Sequence, residues 1–180
     1  MILGDFMADK FVPTWYSKSI YDIDFDKLKS HNIKYILSDL DNTIVGYDIA
    51  IPNEIASNFI KQVKENEFEL ILISNNNFRR LNTFCSPCEL RFLSKAGKPG
   101  SKKLTKFLLD NKIDKEACVF IGDQLLTDMW CAKKAKVKCI LVEPLQKKES
   151  IKTFFNRKID RRLRKKYLMQ GKLNSIMKED

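Results

Sequence analysis

No stretch of this 180-residue chain approaches the roughly 20 consecutive apolar residues that span a bilayer. No basic N-terminal region leads into an apolar run, as a secretory signal would. The chain is therefore expected to be cytoplasmic, able to touch a membrane without crossing it. Cysteine is sparse and odd in number, five in all, which is a poor disulfide framework and fits a reducing compartment. Cys85 and Cys88 stand at a metal-like or redox-like spacing in "CSPC". No second pair follows at zinc spacing and His31 is the sole histidine, so the two thiols read as small apolar filler at a helix end. His31, just before a strand, reads as a turn residue. Glycine is scarce at six residues, and none of them forms part of a Walker loop or a dinucleotide fingerprint, which excludes a P-loop nucleotide site. Internal repeats and low-complexity tracts are also missing. The length suits one domain with a real core and is short for two.

What the chain has in excess is positive charge, a net +10, and it is unevenly placed. Residues 152–166 carry Lys152, Arg157, Lys158, Arg161, Arg162, Arg164, Lys165 and Lys166 against Asp160 alone. An anionic partner is expected for this segment. Ile151, Phe155, Ile159, Leu163 and Tyr167 recur every four residues through it. That pattern is a helix with an apolar stripe and a basic remainder, suited to an anionic lipid surface. The same helix could instead dock on its own domain with its charges solvated, and both can hold along different parts of its length.

Short apolar runs alternate with helical patterns. "KYILS" (34–38), "ELILIS" (69–74), "LRFLS" (90–94), "CVFIG" (118–122) and "VKCILV" (137–142) read as five strands. Several are almost continuously apolar, as in a parallel sheet covered on both faces. Helices are predicted at about 53–66, 77–86, 100–112 and 125–135, the first and third opening at Pro52-Asn53 and Gly100-Ser101. The fold class is α/β, an open five-stranded parallel sheet with helices on both faces. The aromatic segment "FVPTWYSKSIYDI" (11–23) reads as a lead-in packed along the sheet, followed by a short helix from Asp24 to Ser30. Lipid contact through Trp15 and Tyr16 is its alternative. The expected organisation is a lead-in at 1–30, a catalytic domain at 31–148, and a basic amphipathic helix with its tail at 149–180.

Placed on this sheet, the polar residues converge. Asp39 and Asp41 follow the first strand, Ser74 ends the second and Lys98 lies just past the third. Asp123 follows the fourth, with Asp128 five residues on. Parallel strands end on one edge, and doubly wound sheets bind their ligands there. One such residue would be an ordinary helix cap, but this many at four strand ends is a site. Several carboxylates in one crevice need a cation, and oxygen-only ligands favour Mg2+. Ser74 and Lys98 are donors suited to phosphate oxygens, which makes the set a phosphoryl-transfer site.

"DLDNT" (39–43), Ser74 in "LISNN", Lys98 in "AGKP" and "GDQLLTD" (122–128) resemble the four motifs of the haloacid dehalogenase-like (HAD) superfamily. With "SNNN" and "FNRKIDRR" the chain is similar, from about residue 9 to 168, to the YqeG-type phosphatases of class IIIA. "CSPC" departs from that pattern, away from the motif residues. The resemblance implies a HAD-like Rossmannoid fold and a phosphoric monoester hydrolase. Asp39 is then the nucleophile that forms an aspartyl-phosphate, and Asp41 the acid and base. Ser74, Asn75 and Lys98 bind phosphate, Mg2+ is held by Asp39, Asp123 and the main-chain carbonyl of Asp41, and Asp128 supports them from behind. Asp41 separates this chain from the transport ATPases, which have threonine there, and from the dehalogenases, which lack the acid.

Access follows from spacing. Only 27 residues separate Asp41 from Glu69, and the 53–66 helix uses half of them. The 24-residue step from Ser74 to Lys98 is already filled by a helix and a strand. An extra domain needs at least about 40 residues, so no cap domain is expected (the C0 type). An open site suits phosphates on large substrates. YqeG-type proteins are similar to organellar phosphatases that convert phosphatidylglycerophosphate to phosphatidylglycerol. The resemblance therefore implies an anionic phospholipid substrate, with Arg79, Arg80, Arg157, Arg161 and Arg162 as substrate or lipid contacts and the C-terminal helix lying peripherally on the inner face of the plasma membrane. A soluble phosphatase of a sugar phosphate or nucleotide is the alternative. An RNA- or ribosome-associated protein is a second, though the tail lacks aromatics interleaved for base stacking.

Overall fold

The computed structural model of the chain describes residues 9–146 and 154–177, with the backbone alone at 154–157. Ile151 and the side chains of Phe155 and Arg157 lie outside the described residues. The strands are β1 (Trp15–Ser17), β2 (Tyr35–Ser38), β3 (Glu69–Ile73), β4 (Arg91–Leu93), β5 (Cys118–Gly122) and β6 (Lys138–Val142). The helices are α1 (Phe25–Ser30), α2 (Glu54–Glu65), α3 (Phe78–Cys85), α4 (Lys102–Asp110), α5 (Trp130–Ala135) and α6 (Phe154–Met169). A π-helical turn, Leu125–Met129, leads into α5. All neighbouring strands run parallel, in the order β1-β6-β5-β2-β3-β4.

Successive side chains of a strand point to opposite faces, so the apolar runs feed two cores. Ile36, Leu70, Leu72, Val119 and Ile121 meet Leu28 of α1, Phe59, Ile60 and Val63 of α2, and Leu81 and Phe84 of α3. On the other face Leu37, Ile71, Ile73, Phe120 and Leu141 meet Leu104 and Leu108 of α4, Cys131 and Ala132 of α5, and Tyr167 of α6. Polar residues before the helices start them. The side chains of Asp24, Asn53 and Asn77 accept main-chain N–H groups of the first turns of α1, α2 and α3. The five cysteines are free thiols, and Cys85 is buried in the core. Burial pushes its thiol up to about 12, with Cys88 adding to the rise and Arg80 opposing it. That suits a core filler rather than a reactive group.

The sheet has six strands where the sequence predicts five. The sixth, β1, comes from the aromatic lead-in and pairs with β6 at the sheet margin, Trp15 opposite Ile140 and Ser17 opposite Val142. Three residues are too few to show an alternation, which is why the pattern conceals it. Its outer side is covered by the chain beyond α6. Tyr16 N–H donates to Asn174 O at 2.7 Å and Ile176 N–H to Tyr16 O at 3.0 Å. Trp15 packs on His31, ring centroids 4.7 Å apart, and Tyr16 Oη donates to Glu143 Oε1 at 3.0 Å. Among the described residues no separate cap stands over the carboxyl ends of the strands, and no helix is long and apolar enough to cross a membrane.

Candidate active site

The site grows out of the carboxyl end of β2. Asp39 extends the strand by one rung, its N–H donating to Ile121 O of β5 at 2.9 Å. The chain then reverses at Asn42, whose φ of +69° lies in the left-handed region that asparagine tolerates better than most residues. The Asn42 side chain donates to Gln146 O at 3.1 Å and accepts Gln146 N–H at 3.0 Å. The turn after β2 is thus pinned to the loop after β6. Ser74 follows β3 and is buried, its hydroxyl oxygen accepting Asn76 N–H at 3.2 Å. Asp123 follows β5, and the π-helical turn brings Asp128 back over Gly122. Only glycine fits at 122, because a Cβ there would lie 2.5 Å from both Cβ and Cγ of Asp128.

Lys98 is the hub. Its Nζ lies 2.7 Å from Asp39 Oδ1 and 2.7 Å from Asp128 Oδ1, and donates to Ile73 O at 2.9 Å. The side chain is 3% exposed. Burial works against its charge, but Asp128 and Asp39 outweigh that and raise the ammonium above its ordinary range. Asp39, Asp123 and Asp128 each offer a carboxylate oxygen within 4.8 Å of the others, all three buried. Burial raises Asp128 well above the usual carboxylate range. Asp39 and Asp123 add to the rise and Lys98 opposes it. Three buried carboxylates thus face one another around the Lys98 ammonium. An all-oxygen set of this kind fits a hard dication, and the triad is able to hold one. A hollow of about 490 Å3 opens at the opposite edge, by Lys29, Asn32, Lys34 and Glu69. The metal-competent acids gather at the strand ends instead, and they mark the site.

Asp41 stands apart from this triad. Its Oδ1 accepts Arg80 Nη2 at 2.8 Å and its Oδ2 accepts the Asn76 side-chain amide. Burial raises its carboxyl, Arg80 holds it back, and Asp39 raises it further. Arg80 also donates from Nη1 to Ala50 O at 3.1 Å, tying the small flap after β2 to α3. The Asn75 side chain brackets the main chain of Lys98, accepting its N–H at 2.8 Å and donating to its carbonyl at 2.9 Å. Arg79, Arg161 and Arg162 are exposed.

A family profile described as HAD-hydrolase-like matches residues 95–149, which hold Lys98, Asp123 and Asp128. The chain is 37% identical over 153 residues to "Probable phosphatase YqeG" of Bacillus subtilis (strain 168), covering 85% of this chain and 89% of that one. This chain belongs to the YqeG family. Among solved structures, this YqeG-family chain is similar to an uncharacterized protein from Listeria monocytogenes serotype 4b. The TM-score is 0.53 at 13% identity, over 66% of this chain and 85% of that one. A hypothetical protein from Xanthomonas campestris gives 0.50 at 14% identity, over 66% of each chain. Those two likenesses speak for the α/β fold alone, and the HAD-like assignment comes from the family profile and the YqeG relative. The protein is a HAD-superfamily phosphatase with an acidic triad able to take a metal ion.

The structure brings together Asp39, Lys98, Asp123 and Asp128 as direct neighbours, with Ser74 at the adjacent strand end. Four further residues of this YqeG-family site escape sequence reasoning. Asn76 and Gly122 stand inside the quoted motifs "SNNN" and "GDQLLTD", but the motifs alone assign them no contact. Asp160 and Arg164 stand in "IDRRLR", where an acid four residues before an arginine looks like one more exposed helix pair. Both are buried.

Proposed function

We propose that this YqeG-family phosphatase is a magnesium-dependent phosphomonoester hydrolase that works through an aspartyl-phosphate on Asp39 and converts phosphatidylglycerophosphate to phosphatidylglycerol. The observation that carries the chemistry is the pairing of Asp39 with Lys98 beside the buried Asp39–Asp123–Asp128 triad. On this reading Asp39 is the carboxylate nucleophile, Lys98 the fixed ammonium beside it and the triad the cation site. Magnesium, when bound by Asp39, Asp123 and the Asp41 carbonyl, supplies charge neutralisation at the phosphoryl oxygens. Asp39 attacks phosphorus, forming the acyl phosphate bond as the P–O bond to the leaving alkoxide breaks. Asp41, aimed by Arg80 and Asn76, gives its proton to the leaving oxygen. It then takes a proton from water, which attacks phosphorus and releases phosphate and the Asp39 carboxylate. Lys98 and the Ser74 hydroxyl hold the equatorial oxygens as charge shifts onto them. Asn75 joins them through its main-chain N–H, its side chain being engaged by Lys98. Asp128 fixes Lys98.

The substrate reading rests on access and charge. No cap covers the strand ends among the described residues. Lys158, Arg161, Arg162 and Lys165 of α6 are exposed, a basic face suited to peripheral contact with anionic lipid. The test is phosphate release from vesicles containing phosphatidylglycerophosphate, set beside soluble sugar phosphates and nucleotides. The lipid should be preferred, and Asp39→Asn should lower turnover by about a thousandfold or more. Equal rates on a soluble ester would defeat the lipid reading, and an active Asp39→Asn enzyme would defeat the nucleophile.

A further inference from the structure

Helix α6 turns an ion pair, not its apolar stripe, toward the site. Asp160 and Arg164 are buried, 4% and 8% exposed, whereas Ile159 on the expected stripe is 47% exposed. Both charged side chains end on the loop that carries Asp123. Asp160 Oδ2 accepts Leu125 N–H at 3.1 Å and its Oδ1 accepts Leu126 N–H at 3.2 Å. These are the first amides of the π-helical turn, whose own preceding residue, Gln124, supplies no side-chain cap. Arg164 Nη2 donates to the main-chain carbonyl of Asp123 and to Val142 O at 3.0 Å, and its Nη1 donates to Glu143 Oε1 at 2.9 Å. Arg164 Nε lies 3.5 Å from Asp160 Oδ2. One ion pair therefore holds the loop by an acceptor at residue 123 and by donors at 125 and 126.

A buried ion pair is a poor way to gain stability, because desolvating both charges offsets most of their attraction. What it supplies well is fixed geometry. Here that geometry belongs to a loop whose carboxylate must meet two others from different strands. We propose that Asp160 and Arg164 are positioning residues that set the Asp123–Leu126 loop for divalent-cation binding, so that α6 is a working part of the phosphatase site. This rests on reading the triad as the cation site. Groups that orient a ligand from outside the coordination sphere commonly change metal affinity about 10- to 100-fold when removed.

The test uses the full chain and Mn2+ as an observable probe, its binding followed by loss of the free-ion electron paramagnetic resonance signal without substrate. Asp160→Asn keeps the volume and removes the charge, and Arg164→Met keeps the stem and removes the fork. Each should weaken Mn2+ binding about tenfold or more. In turnover, each should raise the Mg2+ concentration needed for half-activation while KM at saturating Mg2+ stays within about twofold. Tyr167→Leu, which loosens the same helix while keeping the Asp160 and Arg164 side chains, should leave Mn2+ affinity within about twofold of the wild type. If the folded Asp160 and Arg164 variants bind Mn2+ as the wild type does, or if Tyr167→Leu weakens binding equally, the positioning role is overturned. The cation-site reading fails separately, if the wild type shows no Mn2+ binding that Asp123→Asn removes.

Discussion

Asp41 is gripped on both oxygens, by Arg80 and by Asn76, and that grip has a measurable consequence. An acid that protonates a departing oxygen matters most when the leaving group is basic. Arg80→Ala is expected to slow turnover of alkyl phosphates about tenfold or more, while p-nitrophenyl phosphate, whose leaving group needs no proton, changes by about twofold or less. Equal losses on both esters would reduce Arg80 to packing. Gly122 gives a second prediction. Gly122→Ala drives a methyl against the buried Asp128 and should cost about 1–3 kcal/mol in chemical denaturation; an unchanged midpoint would mean that Asp128 yields freely. At this scale the sequence was informative where a residue follows a strand. Asp39, Ser74, Lys98, Asp123 and Asp128 each do, and parallel strands deliver them to one edge. It was silent on Arg80 with Asp41, because no spacing rule says which side chain of one element meets which of another.

At the scale of elements, the strong runs declared themselves and the weak ones did not. Strands β2, β3, β5 and β6 are apolar because both faces are covered, and helices α1 to α3 carry their caps in the sequence. Strand β1 was missed for its brevity. Helix α6 shows the limit of hydropathy, which assumes that aspartate and arginine face water. Its apolar stripe holds in part. Tyr167 is wholly buried in the core beside Leu163, and Ile159 stays exposed, while the charged pair one residue further along faces inward. Burial raises the Tyr167 hydroxyl to about 12, with Asp9 and Asp160 adding to the rise. Tyr167→Ala removes the apolar anchor of the helix and should destabilise the protein by about 3 kcal/mol. A loss well under 1 kcal/mol would mean that α6 is held by its ion pair alone.

Over the whole molecule, the net charge of +10 is concentrated on a helix that touches the site with one face and carries exposed Lys158, Arg161, Arg162 and Lys165 on others. If those residues meet anionic lipid, replacing all four by glutamine should weaken co-sedimentation with anionic vesicles, each contributing about 1 kcal/mol at low salt. Binding should also fall as salt rises. Retained vesicle binding in the quadruple variant, or salt-sensitive binding to RNA in place of vesicles, would move the partner elsewhere. The same architecture has a consequence in time. Strand β1 takes its two neighbours from residues 138–142 and from the segment around Ser175. During synthesis it emerges ahead of both neighbours and waits for them. The margin of the sheet thus closes only once both have followed, and a chain halted before residue 174 would leave that side of β1 as an open template for pairing with another chain.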